Sequence, residues 1–526
     1  MCKAAILLIV GLGSSLAAQD TAAGTPPTAM DHAAGHHADM TAPKAAQIMP
    51  GYGAGGFPIA SKAPQAQAFF DNGMQLAHAF AHRASIKAMA EAVRLDPACA
   101  MCLWGLAWAS GPTINYGKSE MELQPLAEMA DKAAKLAEAQ GTPREKALIH
   151  ALQLRYADGG GGKPGDLAFA KAMSVLSARY PADNEIAVMA ADAWLITHGD
   201  TPEQSKLNAE MAMPFLEAAL KRDPNYTPAI HFYIHASEIA QVPSLAEPYA
   251  DKLAALAPRA SHLVHMPSHT YYWVGRYQDA ADTNMRAVEL GIENAKALGL
   301  GPPDGVWGLP YHAHNVTFGL GGALEAGDAK TALALGRPLV ERAGSRAEAD
   351  PYDQLLAANG YFAMALFAAP AEVLALPKPK LQVVDAAWHY ARGEAFARMG
   401  NAAGLRGEAA AIRGTTGKLS ANDGSQQGQQ LTLIARNVLA GRAAMMEGRP
   451  QEAIIAFRQA AEIQESADFS AFADPPAWYY PVRRDLGAAM LAAGDKLGAR
   501  AEADKALKYR PKDPGTLVLL GKLGDG

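Results

Sequence analysis

Two histidine pairs in this chain repeat with an offset of 34 residues. His231 and His235 stand four apart in HFYIH, and His265 and His269 stand four apart in SHLVHMPSH. Pro224 and Pro258 keep the same 34-residue spacing. Residues four apart share one face of a helix, so each pair projects from one side. Holding both histidines and the proline in register over one period requires a 34-residue unit that stacks on its own copy. Equal positions of the unit then lie side by side.

The period extends well beyond that stretch. From about residue 64 the chain reads as helix after helix. GMQLAHAFAHRASIKAMAEAVRLDP, FLEAALKRDP and ADKALKYRPKDP carry small or apolar residues at helical spacing and close on Asp-Pro or a nearby proline. Short Gly-bearing turns recur in VGRYQDAA, EAGDAKTA, RMGNAAGL, MEGRPQEA and AAGDKLGA. These features resemble the tetratricopeptide repeat, a helix–turn–helix unit of 34 residues with a small residue near the turn and a proline after the second helix. The resemblance covers most of residues 64–512, with insertions in several units. It implies an all-α fold, a tetratricopeptide-repeat-like helical solenoid of stacked helix pairs in a right-handed superhelix. Such folds mostly present surfaces, so architecture alone does not assign an activity.

The repeat family also implies which positions line the concave groove: the second, fifth, ninth, twelfth and thirteenth of each unit. Counted from the proline, His231 and His265 are fifth, His235 and His269 ninth, and His262 second. Across an insertion at about 291–308, His314 falls second in the next unit. Asp192 is ninth one unit earlier, and Glu238 and Tyr272 are twelfth. The expected groove therefore gathers His231, His235, His262, His265, His269 and His314, edged by Asp192 and Glu238. Pro267 lies between His265 and His269. Proline is tolerated in the first turn of a helix, which places His265 near a helix start.

Two imidazoles four apart on a helix can grip one metal ion. Two stacked pairs can hold one ion with three or four nitrogens, or two ions side by side. Imidazole suits copper, zinc, iron and nickel. Copper is favoured here, with zinc or iron as alternatives, and Asp192 or Glu238 would be a ligand or an orienting acceptor. Two plainer readings stand beside this one. The histidines could pack neutrally against neighbouring carboxylates, or act as donors in a groove for an anion, a peptide or a protein. Six on one face make neutral packing strained, because every ring needs partners.

The N-terminus supplies context. MCKAAILLIVGLGSSLAAQD has Lys3, an apolar run and a small-residue site at Ser15-Leu16-Ala17. It reads as a secretory signal over 1–17 and implies a periplasmic or secreted protein without stable membrane insertion. Residues 18–60, rich in Ala, Gly, Pro and Thr, read as a disordered linker, and the solenoid as 61–526. Within the linker Met30, His32, His36, His37 and Met40 form a metal-capture tract or a solvated tether. A net charge of −6 argues against a nucleic-acid partner. Export leaves Cys99 and Cys102 in DPACAMCLWG, where an oxidising compartment favours a local disulfide over a redox-active pair or metal site.

Other features are weaker. Trp104 and Trp108 take groove positions of an earlier unit and could stack a ligand or fill the superhelix. Arg484, in DPPAWYYPVRRDLG, could clamp a carboxylate, or the segment could seal the end repeat. His78 takes the thirteenth position of the first unit. Lone histidines such as His82, His150, His198 and His389 read as structural. DGGGGKPGD at 158–166 lacks the Ser or Thr that a phosphate loop needs after Lys163 and reads as a flexible connection.

The blocks CAMCLWGLAWASGPTINYG, HMPSHTYYWVGRY and PPAWYYPVRRDLG resemble stretches of exported bacterial tetratricopeptide-repeat proteins. That resemblance implies an exported repeat architecture and leaves the activity open. Three functions follow. One is a metal-dependent protein, in the sharpest form a copper oxidoreductase. Another is a periplasmic scaffold binding a small molecule, peptide or protein in its groove. The third is metal storage or delivery.

Overall fold

The structure is a computed structural model that describes residues 46–524 except 161, 198, 200, 303, 416, 421–423 and 471–474. The proposed signal peptide, the His/Met tract at 30–40 and His198 lie outside the described residues. Among the described residues there is no strand, only one isolated bridge between Thr113 and Tyr116. Helices pack in consecutive pairs to give the expected tetratricopeptide-like solenoid. Among the described residues, no helix is long and apolar enough to cross a membrane.

The pairing follows from local sequence. Pro202–Arg222, with Glu203 in its first turn and Lys221 and Arg222 in its last, complements the helix dipole and is capped by Thr201. Asp223 ends it, and Thr227–Ile239 begins after one short turn with Pro228 in its first turn. Glycine allows close crossing where the His312–Ala326 helix meets the Tyr277–Leu298 helix. A Cβ on Gly322 would stand 2.8 Å from Ala281 N and 2.8 Å from Tyr277 O.

Among the described residues three large apolar cores run along the stack, one from Phe57 to Ala193, one from Tyr52 to Ala280 and one from Ala281 to Ala499, with a small fourth of Val264, Ala287 and Leu290. The middle core carries the helices of His231, His235, His262, His265 and His269, and the third carries that of His314.

Residues 46–60, expected to belong to a disordered linker, are ordered. They form an extended strap laid over the solenoid. Ala54 N donates to Thr227 Oγ1 at 2.7 Å, Arg259 N to Gly51 O at 3.1 Å, and Ala60 N to Glu145 Oε1 at 2.8 Å. Tyr52 and Phe57 are buried, which supplies the apolar area that a low-complexity segment was not expected to have. The expected flexible connection at 158–166 also differs. One helix runs to Gly160 and the next starts at Gly162. At the other end, Arg510 packs over Tyr272 and Trp273, with its guanidinium 4.9 and 5.2 Å from their rings, so the C-terminus closes onto the histidine region.

Candidate metal centre

His231 and His235 sit on Thr227–Ile239. His262 and His265 sit on Ser261–His265, and His269 on Pro267–Trp273. Met266, between those short helices, keeps helical angles of φ −51° and ψ −37°, so the axis continues through the proline. The helix starts at Ser261. His265 closes its first segment instead of opening a helix, because Pro267 costs the ladder an N–H without ending it. His314 sits in the first turn of His312–Ala326.

The six histidines divide into two triads. His231, His235 and His262 form one, and His265, His269 and His314 the other. In each, one nitrogen per ring lies within 4.8 Å of the other two. Both triads follow one rule: the fifth and ninth positions of a unit plus the second position of the next. His231 Nε2 lies 3.2 Å from His235 Nε2 and 3.1 Å from His262 Nε2. His269 Nε2 lies 2.9 Å from His265 Nε2 and 3.5 Å from His314 Nε2. All six residues are buried.

Neighbours fix the outer nitrogens of His231, His265 and His269, while His262 Nδ1 is buried with no hydrogen-bond partner. His231 Nδ1–H donates to the His78 carbonyl at 2.7 Å. Asn284 Nδ2 donates to Ala280 O at 2.8 Å, which turns its Oδ1 toward His265 Nδ1 at 2.6 Å. His265 Nδ1 must therefore be the donor. His269 Nδ1–H donates to Glu238 Oε2 at 2.7 Å, and Trp273 Nε1–H donates to Glu238 Oε1 at 2.8 Å. In the neutral rings, these bonds leave the Nε2 lone pairs of His265 and His269 facing each other at 2.9 Å. A cation between them turns that repulsion into ligation.

Burial favours the neutral, ligating form of five of the six histidines. Desolvation, reinforced by the neighbouring rings, keeps His231, His262, His265 and His314 well below the usual histidine range, and takes His235 down to about 3. Glu238 is raised by burial, but His269 and Trp273 outweigh that and hold it below the usual carboxylate range.

Aromatic side chains close the site. Phe80 stacks on His262 at 4.7 Å and meets His231 edge-on at 4.5 Å. Tyr311 lies 4.5 Å from His262, with its hydroxyl bound by Asn115 and Tyr116. Phe80 and Tyr311 both hold positive φ, 54° and 67°, a strained conformation for a bulky residue. Phe318 packs 4.4 Å from His269 and 4.9 Å from His314.

The other expected site residues lie elsewhere. Asp192 belongs to neither triad. Burial raises its carboxyl to about 6, against the opposing charges of Arg155 and His78. His78 supports the first triad through its carbonyl, while its Nε2 meets Glu185 Oε1 at 2.6 Å. Trp104 and Trp108 stack in parallel, 5.9 Å apart, inside the first core, and Trp104 Nε1 donates to Leu148 O. They are not an open groove floor, because the strap residue Phe57 covers Trp104. Tyr272 is buried beneath Arg510. Arg484 is already paired with Asp513 at 2.7 Å and lies over Tyr480, so it seals the end repeat. Cys99 and Cys102 form a disulfide at the start of Ala100–Ala109. His389 is bound to Glu408 at 2.6 Å.

Sequence reasoning missed Asn284, Phe80, Tyr311 and Phe318. Asn284 lies on a second helix, which the groove register does not sample. Phe80 sits in a turn, and only long-range packing brings it over the triad.

No family model and no curated protein sequence matches the chain. Two solved structures resemble it at low similarity. A human IFIT1 dimer with m7Gppp-AAAA is 11% identical, covers 86% of this chain and 91% of its own, and has a TM-score of 0.31. Yeast Tom70 is 12% identical, covers 88% and 92%, and has a TM-score of 0.26.

Proposed function

We propose that this is an exported, periplasmic metal protein that holds two transition-metal ions, one in each histidine triad, and acts as a metal-dependent oxidoreductase. The observation that carries the reading is the pair of Nε2 atoms converging at 2.9 Å, their rings oriented from behind by Asn284 and Glu238. Outer partners of this kind fix ligand orientation and raise basicity in metal sites. Copper is the favoured ion. The donor set is neutral imidazole, and copper stands at the top of the affinity order for such sites. The His/Met tract of residues 30–40 would help to capture it.

Three protein ligands per ion leave a position open at each site, as catalytic metals require. A closed storage site would fill those positions with protein. The repeat-scaffold alternative draws less support, because Trp104, Trp108, Tyr272 and Arg484 are engaged inside the protein. The similarity to exported bacterial repeat proteins in the CAMCLWG, HMPSH and WYYPVR blocks supports the export reading.

The test is elemental analysis of tag-free protein from the periplasm, beside the double variant His231→Ala/His269→Ala. Two tightly held ions in the wild type and none in the variant support the reading. No metal in either, with copper and zinc both offered, overturns it.

A further inference from the structure

The two triads are neighbours as well as copies. His235 and His269, both ninth-position residues, have ring centroids 5.6 Å apart. His262 and His265, three apart on one short helix, have centroids 5.7 Å apart and serve opposite triads. Ions bound to the two triads would therefore share a wall of imidazoles.

Charge makes the pair incomplete. The six ligands are imidazoles, which supply no negative charge, and Glu238 is a carboxylate hydrogen-bonded to one of them. Two divalent ions would bring four positive charges against one negative charge into a site where every ligand is buried. Uncompensated charge of that size in a protein interior is strongly unfavourable. Among the described residues, neither triad includes an aspartate, glutamate or cysteine that could supply the missing anion as a ligand. Phe80, Tyr311 and Phe318 pack their rings directly against the triads. The compensating group must be small, anionic and able to reach both open positions.

We propose that the two triads act as one coupled dinuclear centre in which a single small anion, of the size of hydroxide or azide, bridges the two oxidised metal ions. This rests on the two-ion copper reading above. Adjacent metal ions that share a ligand are an established catalytic arrangement, with the anion held by both ions together. The aromatic cap then admits small diffusible ligands to the metals and keeps bulky organic molecules off them.

The experiment uses the full chain saturated with Cu(II) and freed of excess. Copper is counted by elemental analysis, unpaired spins by integrated EPR, and azide binding by optical titration. The expected result is two coppers per chain with nearly all of the EPR intensity missing, and azide saturating at one per copper pair. Two coppers with the full intensity of two independent ions, or two azides per pair, would overturn the coupling while leaving the two-site reading intact. One copper or none refutes the two-site reading, and the inference falls with it. His314→Gln disables one triad and should restore the EPR signal of a single isolated copper. Should that variant fail to fold, the wild-type spin count still decides.

Discussion

Glu238 ties the second triad to the rest of the fold, and replacing it gives a graded prediction. Glu238→Gln keeps the size of the side chain and removes its charge. In the wild type both carboxylate oxygens accept, from His269 Nδ1 at 2.7 Å and Trp273 Nε1 at 2.8 Å. The amide offers one oxygen for two donors and turns an NH2 group toward the other. Either His269 loses its orienting partner or the indole N–H is left unpaired. Loss of an outer partner of a ligating histidine weakens metal binding by about 10- to 100-fold, or about 1.4–2.7 kcal/mol. The effect should be confined to the triad of His265, His269 and His314, because the other triad is oriented through His78 O. Copper titrated against a chromophoric chelator should resolve one unchanged site and one weakened site. Equal weakening of both sites, or no change in either, would refute the assignment of Glu238 as a positioning residue for one triad.

Three further outcomes follow from the same geometry. Cys99→Ser/Cys102→Ser should cost about 2 kcal/mol in denaturant unfolding, because so short a loop loses little chain entropy on closure, and metal content should not change. Gly322→Ala should destabilise the chain by about 1–3 kcal/mol in thermal unfolding, because the new methyl meets backbone atoms of the facing helix. Burial, with Lys118 nearby, lowers His82 to about 4, so the unfolded chain binds more protons than the folded one between pH 6.5 and 4. Stability from this group is full above pH 6.5 and falls as the pH drops. The loss is at most about 3 kcal/mol, less what solvent screening recovers at a half-buried residue. Unfolding midpoints at pH 7 and pH 4.5 should differ less in His82→Phe than in the wild type.

The fold was legible because one signal dominates. The 34-residue register of Pro224 and Pro258 set the stacking, and it brought His231, His235, His262, His265, His269 and His314 to one region across an insertion. The division into triads was not legible. It depends on each second-position histidine reaching back to the preceding unit, which is a matter of packing between units and not of spacing. Glu238 and Asp192 both took groove-edge positions in the register, yet of the two Glu238 is the one bonded to a triad histidine. Asp192 is drawn into the environment of Arg155 and His78. The covering of Trp104 was hidden as well. The strap that buries it comes from a Gly- and Pro-rich segment with no periodicity, held by single long-range bonds such as Ala54 N to Thr227 Oγ1. Phe80 and Tyr311 escaped for a related reason. Their positive φ values arise from tertiary packing that no local pattern encodes.

The most direct test of the paired-metal account is anomalous diffraction from crystals of the natively purified full chain, recorded across the copper, zinc and iron edges. The account predicts two peaks, one in each triad, each about 2.0–2.1 Å from three imidazole Nε2 atoms. Triads with no anomalous peak, and with His265 Nε2 and His269 Nε2 joined by a simple N–H···N hydrogen bond, would contradict it.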